Sequence, residues 1–331
     1  MLWFMANRIL GMVITLFLVS IMVFFLMELP PGDYADRYAF RKYSGTGVKV
    51  TESDIQTIRS QFGLDKPAWQ RYLHWMGDIV VKGDFGQAFA FETSVNKVVG
   101  ERLWLTLCIL YTTLILTYVI SIPIGIYAAV RRHSIADYSL TVVSYLGLAL
   151  PNFLLALTLL YVSVTVFNTS VGGLFSHGME DAPWSMAKAL DLFHHLLIPA
   201  IVLAWSATAL QLQTVRATML DELNKLSVTA ARARGLPERR LLVKYPARLA
   251  INPVVSTIGF DVNRIFSELP IVALVLGLPE LGELLIQSFL DLDMYVAGAI
   301  LLMLAFFIVV MNFVSDVMLA VIDPRIRLQE G

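Results

Sequence analysis

Charge and cysteine are both scarce in this chain, and each scarcity narrows what it can be. Only 15% of the 331 residues are charged, 25 basic against 26 acidic, where an ordinary soluble domain carries about a quarter. The single cysteine, Cys108, cannot close an internal disulfide, so no disulfide framework holds the fold. Also missing are the Gly-x-x-x-x-Gly-Lys-Ser/Thr loop that cradles phosphates, the Gly-x-Gly-x-x-Gly turn and the His-Glu-x-x-His zinc helix. No catalytic, cofactor-binding or metal-binding residue is therefore expected. His177, His194 and His195 are read as interfacial anchors, since adjacent imidazoles cannot share one helix face.

What the chain has instead is apolar length. Hydrophobic residues make up 57% of it and the mean hydropathy is +0.69, the composition of a multi-pass membrane protein. A hydrocarbon core of roughly 30 Å takes about 20 apolar residues in a helix, and six runs qualify: 9–29, 103–130, 140–167, 196–215, 254–276 and 296–322. The first lacks a small-x-small cleavage pattern and is read as a retained helix. The expected fold is all-α, with six transmembrane helices.

Orientation follows from the short loops. Arg131, Arg132 and His133 close the second run, a basic loop follows the fourth, and Arg325 and Arg327 follow the sixth, all on one side. The opposite loops are acidic, which by the positive-inside bias makes both termini cytoplasmic. The chain then divides into a first transmembrane helix (1–29), an extracytoplasmic segment (30–102), a five-helix core (103–322) containing the basic loop 216–253, and a cytoplasmic tail (323–331).

Two helices are expected in the extracytoplasmic segment. One starts at Thr51 or Ser53 and carries Ile55, Ile58 and Phe62 on one face before Gly63. The other covers 67–81, with Trp69, Tyr72, Trp75 and Met76 as its apolar stripe. The pair is read as a packed cap or an interfacial element.

Polar residues inside apolar runs are the next signal. Asp261, Arg264 and Glu268 are spaced by three and four, which places them on one helix face. A charge at mid-bilayer costs at least about 2.5 kcal/mol, so this face must meet protein or water. It either lines a translocation pathway or forms an ion-pair ladder that fixes packing. Gln211 in the fourth run, and Pro151 with Asn152 in the third, complete the candidate pathway set; Pro123 and Pro151 are expected to kink their helices.

The densest basic stretch lies in the fourth loop: between Arg216 and Arg248 stand eight basic residues against three acidic ones. Ala230, Ala231 and Ala233 favour helix, Gly235-Leu236-Pro237 breaks it, and helix resumes from Glu238. Two short helices joined at a glycine could enter a groove on a cytoplasmic partner, or could simply hold topology against anionic lipid.

The run Thr-Ala-Ala-Arg-Ala-Arg-Gly-Leu-Pro-Glu-Arg-Arg at 229–240, followed by Ala250-Ile251-Asn252-Pro253, resembles the coupling-loop signature of ABC importer permeases of the dipeptide, oligopeptide and nickel branch. Similar motifs recur in order along nearly the whole chain: Pro31-Gly32-Asp33, Phe62-Gly63-Leu64-Asp65-Lys66-Pro67, Gly83-Asp84-Phe85-Gly86, Pro151-Asn152-Phe153 and Asp323-Pro324-Arg325. The resemblance implies a type I importer permease in a bacterial inner membrane, half of a pore completed by a homologous second permease. It further implies two cytoplasmic ATPase subunits, which bind the ATP and magnesium, and an extracytoplasmic solute-binding protein. Membrane lipid is the remaining partner and nucleic acid is not one.

By that resemblance Thr229, Ala230, Ala231, Arg232, Arg234, Gly235, Leu236, Arg239 and Arg240 dock an ATPase subunit, and a Gly235→Asp change should abolish uptake. Two departures stand out: Thr229 occupies a position where the signature has glutamate, and Pro279-Glu280-Leu281-Gly282 replaces Pro-Gly-Leu-Gly. Di- or oligopeptides are the default solute, with oligosaccharides, opines and metal complexes as alternatives. A secondary transporter driven by an ion gradient, or a membrane receptor, are the competing classes.

Overall fold

The computed structural model describes residues 2–29, 35–36, 38–39, 51–61, 64–168, 172–176, 178–179 and 182–322. His177, the Pro31-Gly32-Asp33 and Phe62-Gly63 motif residues and the tail 323–331 lie outside them. The first apolar run forms α1 (Leu2–Glu28), 27 residues long, about 40 Å at 1.5 Å per residue and ample for a bilayer. Three more helices are long and apolar enough to cross: α4 (Val95–Val130), α7 (Met186–Leu223) and α13 (Met294–Ile322). Between them stand α2 (Glu52–Gln61) and α3 (Ala68–Lys82), then α5 (Ile135–Ala149) and α6 (Asn152–Val166). After α7 come α8 (Leu226–Ala233), α9 (Glu238–Leu242), a π-helical turn (Val243–Ala247), α10 (Arg248–Ser256), α11 (Ile258–Leu276) and α12 (Leu281–Asp291).

The six expected runs thus become four continuous helices and two broken pairs, α5/α6 and α11/α12, giving up to six crossings if each pair is one span. The third run departs most from expectation. Pro151 does not kink a helix; it ends one and caps the next, and the chain turns by 101° between α5 and α6. The residue before a proline is pushed out of the helical region, and Leu150 is extended at φ −89° and ψ 125°. Pro123, by contrast, sits inside α4. The expectation of an all-α chain also needs one small correction, an antiparallel hairpin of β1 (Gln87–Ala88) and β2 (Thr93–Ser94).

The chain clusters into two compact units: Met1–Ile9, Leu107–Leu278 and Val310–Gly331 form one, Leu10–Thr106 and Pro279–Val309 the other. In the first unit α7 is the hub, packed by α5, α6, α10 and α11. Its buried side includes Val202, Leu203, Ala207, Val215 and Met219. The approach to α4 is close enough to require glycine: a Cβ on Gly125 would lie 2.8 Å from the Val215 Cβ and 2.9 Å from the Leu212 carbonyl oxygen.

In the second unit α3 packs on α1 through Phe24, Tyr72 and Trp75, with Ser20 and Tyr72 hydroxyls 2.9 Å apart. Tyr72, Trp75 and Met76 join this core as their spacing predicts, whereas Trp69 is 63% exposed. The α2 start at Thr51 also holds, the Thr51 amide donating to the Asp54 carboxylate at 3.1 Å. Gly83, at φ 67°, stops α3.

Asp293 ties this unit together. Its carboxylate is fully buried and accepts the Ala90 amide at 2.8 Å, joining the hairpin to the start of α13. Burial pushes its pKa up to about 6, against the pull of the backbone amides it accepts. A folded-state pKa above the unfolded 3.8 means that folding favours the protonated acid. This contribution is complete below about pH 4 and is lost as pH rises through 6, on the order of 3 kcal/mol across the window. The melting temperature of the purified protein should therefore fall between pH 5 and pH 7. Asp293→Asn should flatten that slope; an unchanged slope would show that other groups set it.

Candidate functional site

Two constellations carry the chemistry of the first unit. One is a basic hook. Helix α8 begins after Lys225, whose carbonyl accepts the Val228 and Thr229 amides. It ends at Gly235, which turns the chain at φ +81° while its amide bonds the Arg232 carbonyl at 2.9 Å. Pro237, at φ −64°, is preset to open α9. Val228, Ala231 and Leu241 pin the two helices together, with Leu236, Leu242 and Tyr245 around them. Arg232 clamps the same bend from outside, donating to both Glu238 oxygens at 2.7 and 3.2 Å and lowering the Glu238 pKa.

The expected docking residues divide accordingly. Thr229, Ala230, Arg232, Arg234, Gly235, Arg239 and Arg240 are exposed. Ala231 is 1% exposed and Leu236 is half-buried, both packed in the cluster that joins the two helices. Thr229 has its hydroxyl over the Lys225 carbonyl at 3.5 Å, and Leu226 beside it is 87% exposed. The hook therefore exposes both an apolar side chain, Leu226, and several arginines.

The second constellation is the polar set inside the helices. The structure splits what the spacing grouped. Asp261 is 2% exposed, and one of its oxygens accepts both the Tyr118 hydroxyl at 2.6 Å and the Gln211 amide at 2.7 Å. Gln211 also donates to the Thr257 hydroxyl at 2.8 Å. These bonds tie α4, α7 and α11 together, so Asp261 and Gln211, both pathway candidates, stand buried in hydrogen bonds between helices.

Arg264 and Glu268 behave differently. They pair at 3.1 Å with side chains 29% and 33% exposed. Asn152, the first residue of α6 after the Pro151 break, donates to Glu268 and, at 3.1 Å, to the Ser206 hydroxyl. Along α11 the exposed positions are Phe260, Asn263, Ser267, Ile271 and Leu274, so Asn263 and Ser267, with the half-buried Arg264 and Glu268, form one polar stripe on an apolar helix.

Sequence reasoning missed three residues. Asp137 is 1% exposed and takes a two-pronged bond from Arg216, Nε at 2.6 Å and Nη2 at 2.9 Å, plus the His133 amide at 2.9 Å. The Ser134-x-x-Asp137 pattern signals a helix cap, but nothing along the chain pairs positions 79 apart. Glu280, a departure in the Pro-Glu-Leu-Gly motif, is the cap of α12, accepting the Glu283 amide at 3.0 Å. Tyr118 reads as one more aromatic in an apolar run. Among the described residues no group of three or more His, Cys, Asp or Glu side chains could hold a metal; His195 is turned onto the Asp191 carbonyl at 2.9 Å.

Comparison with known proteins draws these features together. Residues 121–328 match the family described as "Binding-protein-dependent transport system inner membrane component". Residues 1–110 match the corresponding N-terminal family. A Brucella ovis protein carrying the name of a peptide permease is 34% identical over 321 residues, 96% of each chain. The oligopeptide transport system permease protein AppB of Bacillus subtilis is 32% identical, covering 93% of this chain and 94% of its own. The glutathione transport system permease protein GsiC of Escherichia coli K12 is 29% identical across 99% of both. With two family matches in register and relatives above 30% identity along almost its whole length, the chain belongs to the inner-membrane permease components of binding-protein-dependent importers.

Proposed function

We propose that this chain forms half of the translocation pathway of an importer of short peptides, with both termini in the cytoplasm. The observation that carries the reading is the polar stripe of Asn263, Arg264, Ser267 and Glu268 on the exposed side of α11. An ion pair on a membrane helix cannot face hydrocarbon cheaply, so this stripe faces water or a partner with its own polar lining. A homologous second permease supplies that opposite wall. The peptide reading draws on AppB and GsiC, whose names specify oligopeptides and glutathione.

The chain does not hydrolyse ATP; two ATPase subunits on the cytoplasmic face hold ATP and magnesium. The hook of α8 and α9 enters a cleft on one of them, its arginines meeting acidic groups and Leu226 filling an apolar pocket. Closure of the ATPase pair then swings the permease between inward and outward states, a rigid-body change. An extracytoplasmic binding protein delivers the solute.

The test uses a Cys108→Ser background. Ser267→Cys should react with a membrane-impermeant cationic thiosulfonate in the assembled complex, and the reaction should block ATP-driven uptake. Phe17→Cys, on the lipid-exposed side of α1, should stay unreactive. Reaction at Ser267→Cys only with lipophilic reagents would place α11 against lipid and sink the pathway. A secondary transporter would move solute without ATPase subunits, which the purified chain in vesicles should not do.

A further inference from the structure

The first unit carries an apolar groove that neither the hook nor the α11 stripe uses. It holds about 350 Å³ between α4, α5 and α7, walled by Leu116, Ile120 and Ile124, by Val143, and by Trp205 and Leu212. Ser144 also lines it, with its hydroxyl already donated to the Leu140 carbonyl at 2.8 Å.

The helices give the groove a direction. Leu116, Ile120 and Ile124 recur every four residues on α4, and Tyr127 and Arg131 continue the same row by three and four. The Arg131 amide bonds the Tyr127 carbonyl at 3.0 Å, so the helical path still holds at Arg131. At 1.5 Å per residue, Arg131 stands about 10 Å beyond Ile124 and about 22 Å from Leu116. On α7, Leu212 lies beside Gly125, and Trp205 is two turns farther from Arg131. The Trp205 ring rests on α5 at Gly147, where a Cβ would fall 2.5 Å from the indole Nε1. The groove thus runs from the Arg131 end of α4 to Trp205.

Arg131 is the cation at that end with its donors unused. It is exposed, its guanidinium carbon lies 5.2 Å from the Tyr127 ring centroid, and among the described residues its side chain has no ion pair or hydrogen bond. Arg216, by contrast, is taken by Asp137 at 2.6 Å. A guanidinium held over a ring with its fork free matches a phosphate.

Depth and direction name the occupant. Half of a hydrocarbon core is about 15 Å, so a chain whose headgroup sits at Arg131 runs past Tyr127, Ile124 and Ile120 before it reaches the midplane. The groove also opens away from α11 and its polar stripe. Tyr118, about 200° around α4 from Ile120, is the residue that bonds Asp261 of α11. We propose that this groove binds an anionic phospholipid, with one acyl chain along Ile124 and Ile120 and the phosphate at the Arg131 guanidinium. By the orientation proposed above, the lipid belongs to the cytoplasmic leaflet.

The test uses the assembled permease and ATPase complex in nanodiscs of equal parts phosphatidylglycerol and phosphatidylcholine. One lipid at a time carries a diazirine in its acyl chain, and mass spectrometry locates the adducts on peptides containing Val143 or Trp205. Phosphatidylglycerol should label these peptides about fivefold more than phosphatidylcholine, the gain from one arginine near an anionic headgroup. Arg131→Gln should bring the two lipids level, whereas Arg132→Gln, the next cation in the chain, should keep the preference. Thr208→Phe, on the half-buried groove wall, should reduce labelling by both lipids. Equal labelling by the two lipids in the unsubstituted complex overturns the site. An equal loss in both arginine variants also overturns it, since diffuse surface charge then accounts for the preference. So does a disulfide between Val143→Cys, in the Cys108→Ser background, and a cysteine of the second permease, which would make the groove a subunit interface. Nanodiscs carry the same lipids in both leaflets, so the result stands apart from the orientation and from the peptide reading.

Discussion

Arg216→Met should cost the folded protein about 3 kcal/mol or more, because it strands the Asp137 carboxylate at 1% exposure with only the His133 amide left to it. The lost interaction is two charge-assisted bonds, at 2.6 and 2.9 Å, made across α5 and α7. The measurement is loss of monodisperse protein on heating in detergent. The double variant Asp137→Asn/Arg216→Met should recover most of the loss, since no buried charge then remains. If the double variant is as unstable as the single one, the penalty comes from lost packing of the arginine stem rather than from the stranded charge.

Gly235→Val should reduce ATP-driven uptake by more than tenfold while leaving membrane insertion intact. At φ +81° a β-branched side chain is strained by about 1–3 kcal/mol, and the relief available is to unwind the turn that sets α9 against α8. The space around Gly235 is open, so the demand is on the backbone and not on room for a side chain. Asparagine visits this region more readily, and Gly235→Asn should keep most of the activity. For Gly235→Asp, strain is the smaller effect. Aspartate strains the turn less than valine does, and its effect would come from placing an acid among Arg232, Arg234 and Arg239. Full uptake by Gly235→Val in reconstituted vesicles would remove the hook from the coupling path.

The hook was legible because its determinants are local. A glycine followed two residues later by a proline, between alanine-rich and leucine-rich stretches, specifies helix, turn and helix within a dozen residues. Its pinning was not legible: Ala231 reads like Ala230 until Leu241 folds back over it. The pathway set shows the same division. Spacing placed Asp261, Arg264 and Glu268 on one side of α11, yet Asp261 is enclosed by Tyr118 and Gln211 while the other two stay partly exposed. Periodicity reports the direction a side chain leaves its helix. It carries no information about which neighbour stands there.

By itself, then, the sequence determined that the chain is a multi-pass helical membrane protein, where most apolar helices lie, and that a bent basic hook interrupts them. These follow from the cost of burying charge in lipid and from dihedral preferences of single residues, both of which act locally along the chain. Tertiary structure alone decided that Pro151 separates two helices at 101°, that Asp137 is answered by Arg216, and that Glu280 and Asp293 cap helices from buried positions. The Asp137 and Asp293 contacts depend on partners brought together by packing, 79 residues apart for Arg216 and 203 for the amide that Asp293 accepts. No local rule along a chain encodes which distant group will arrive to satisfy a buried charge.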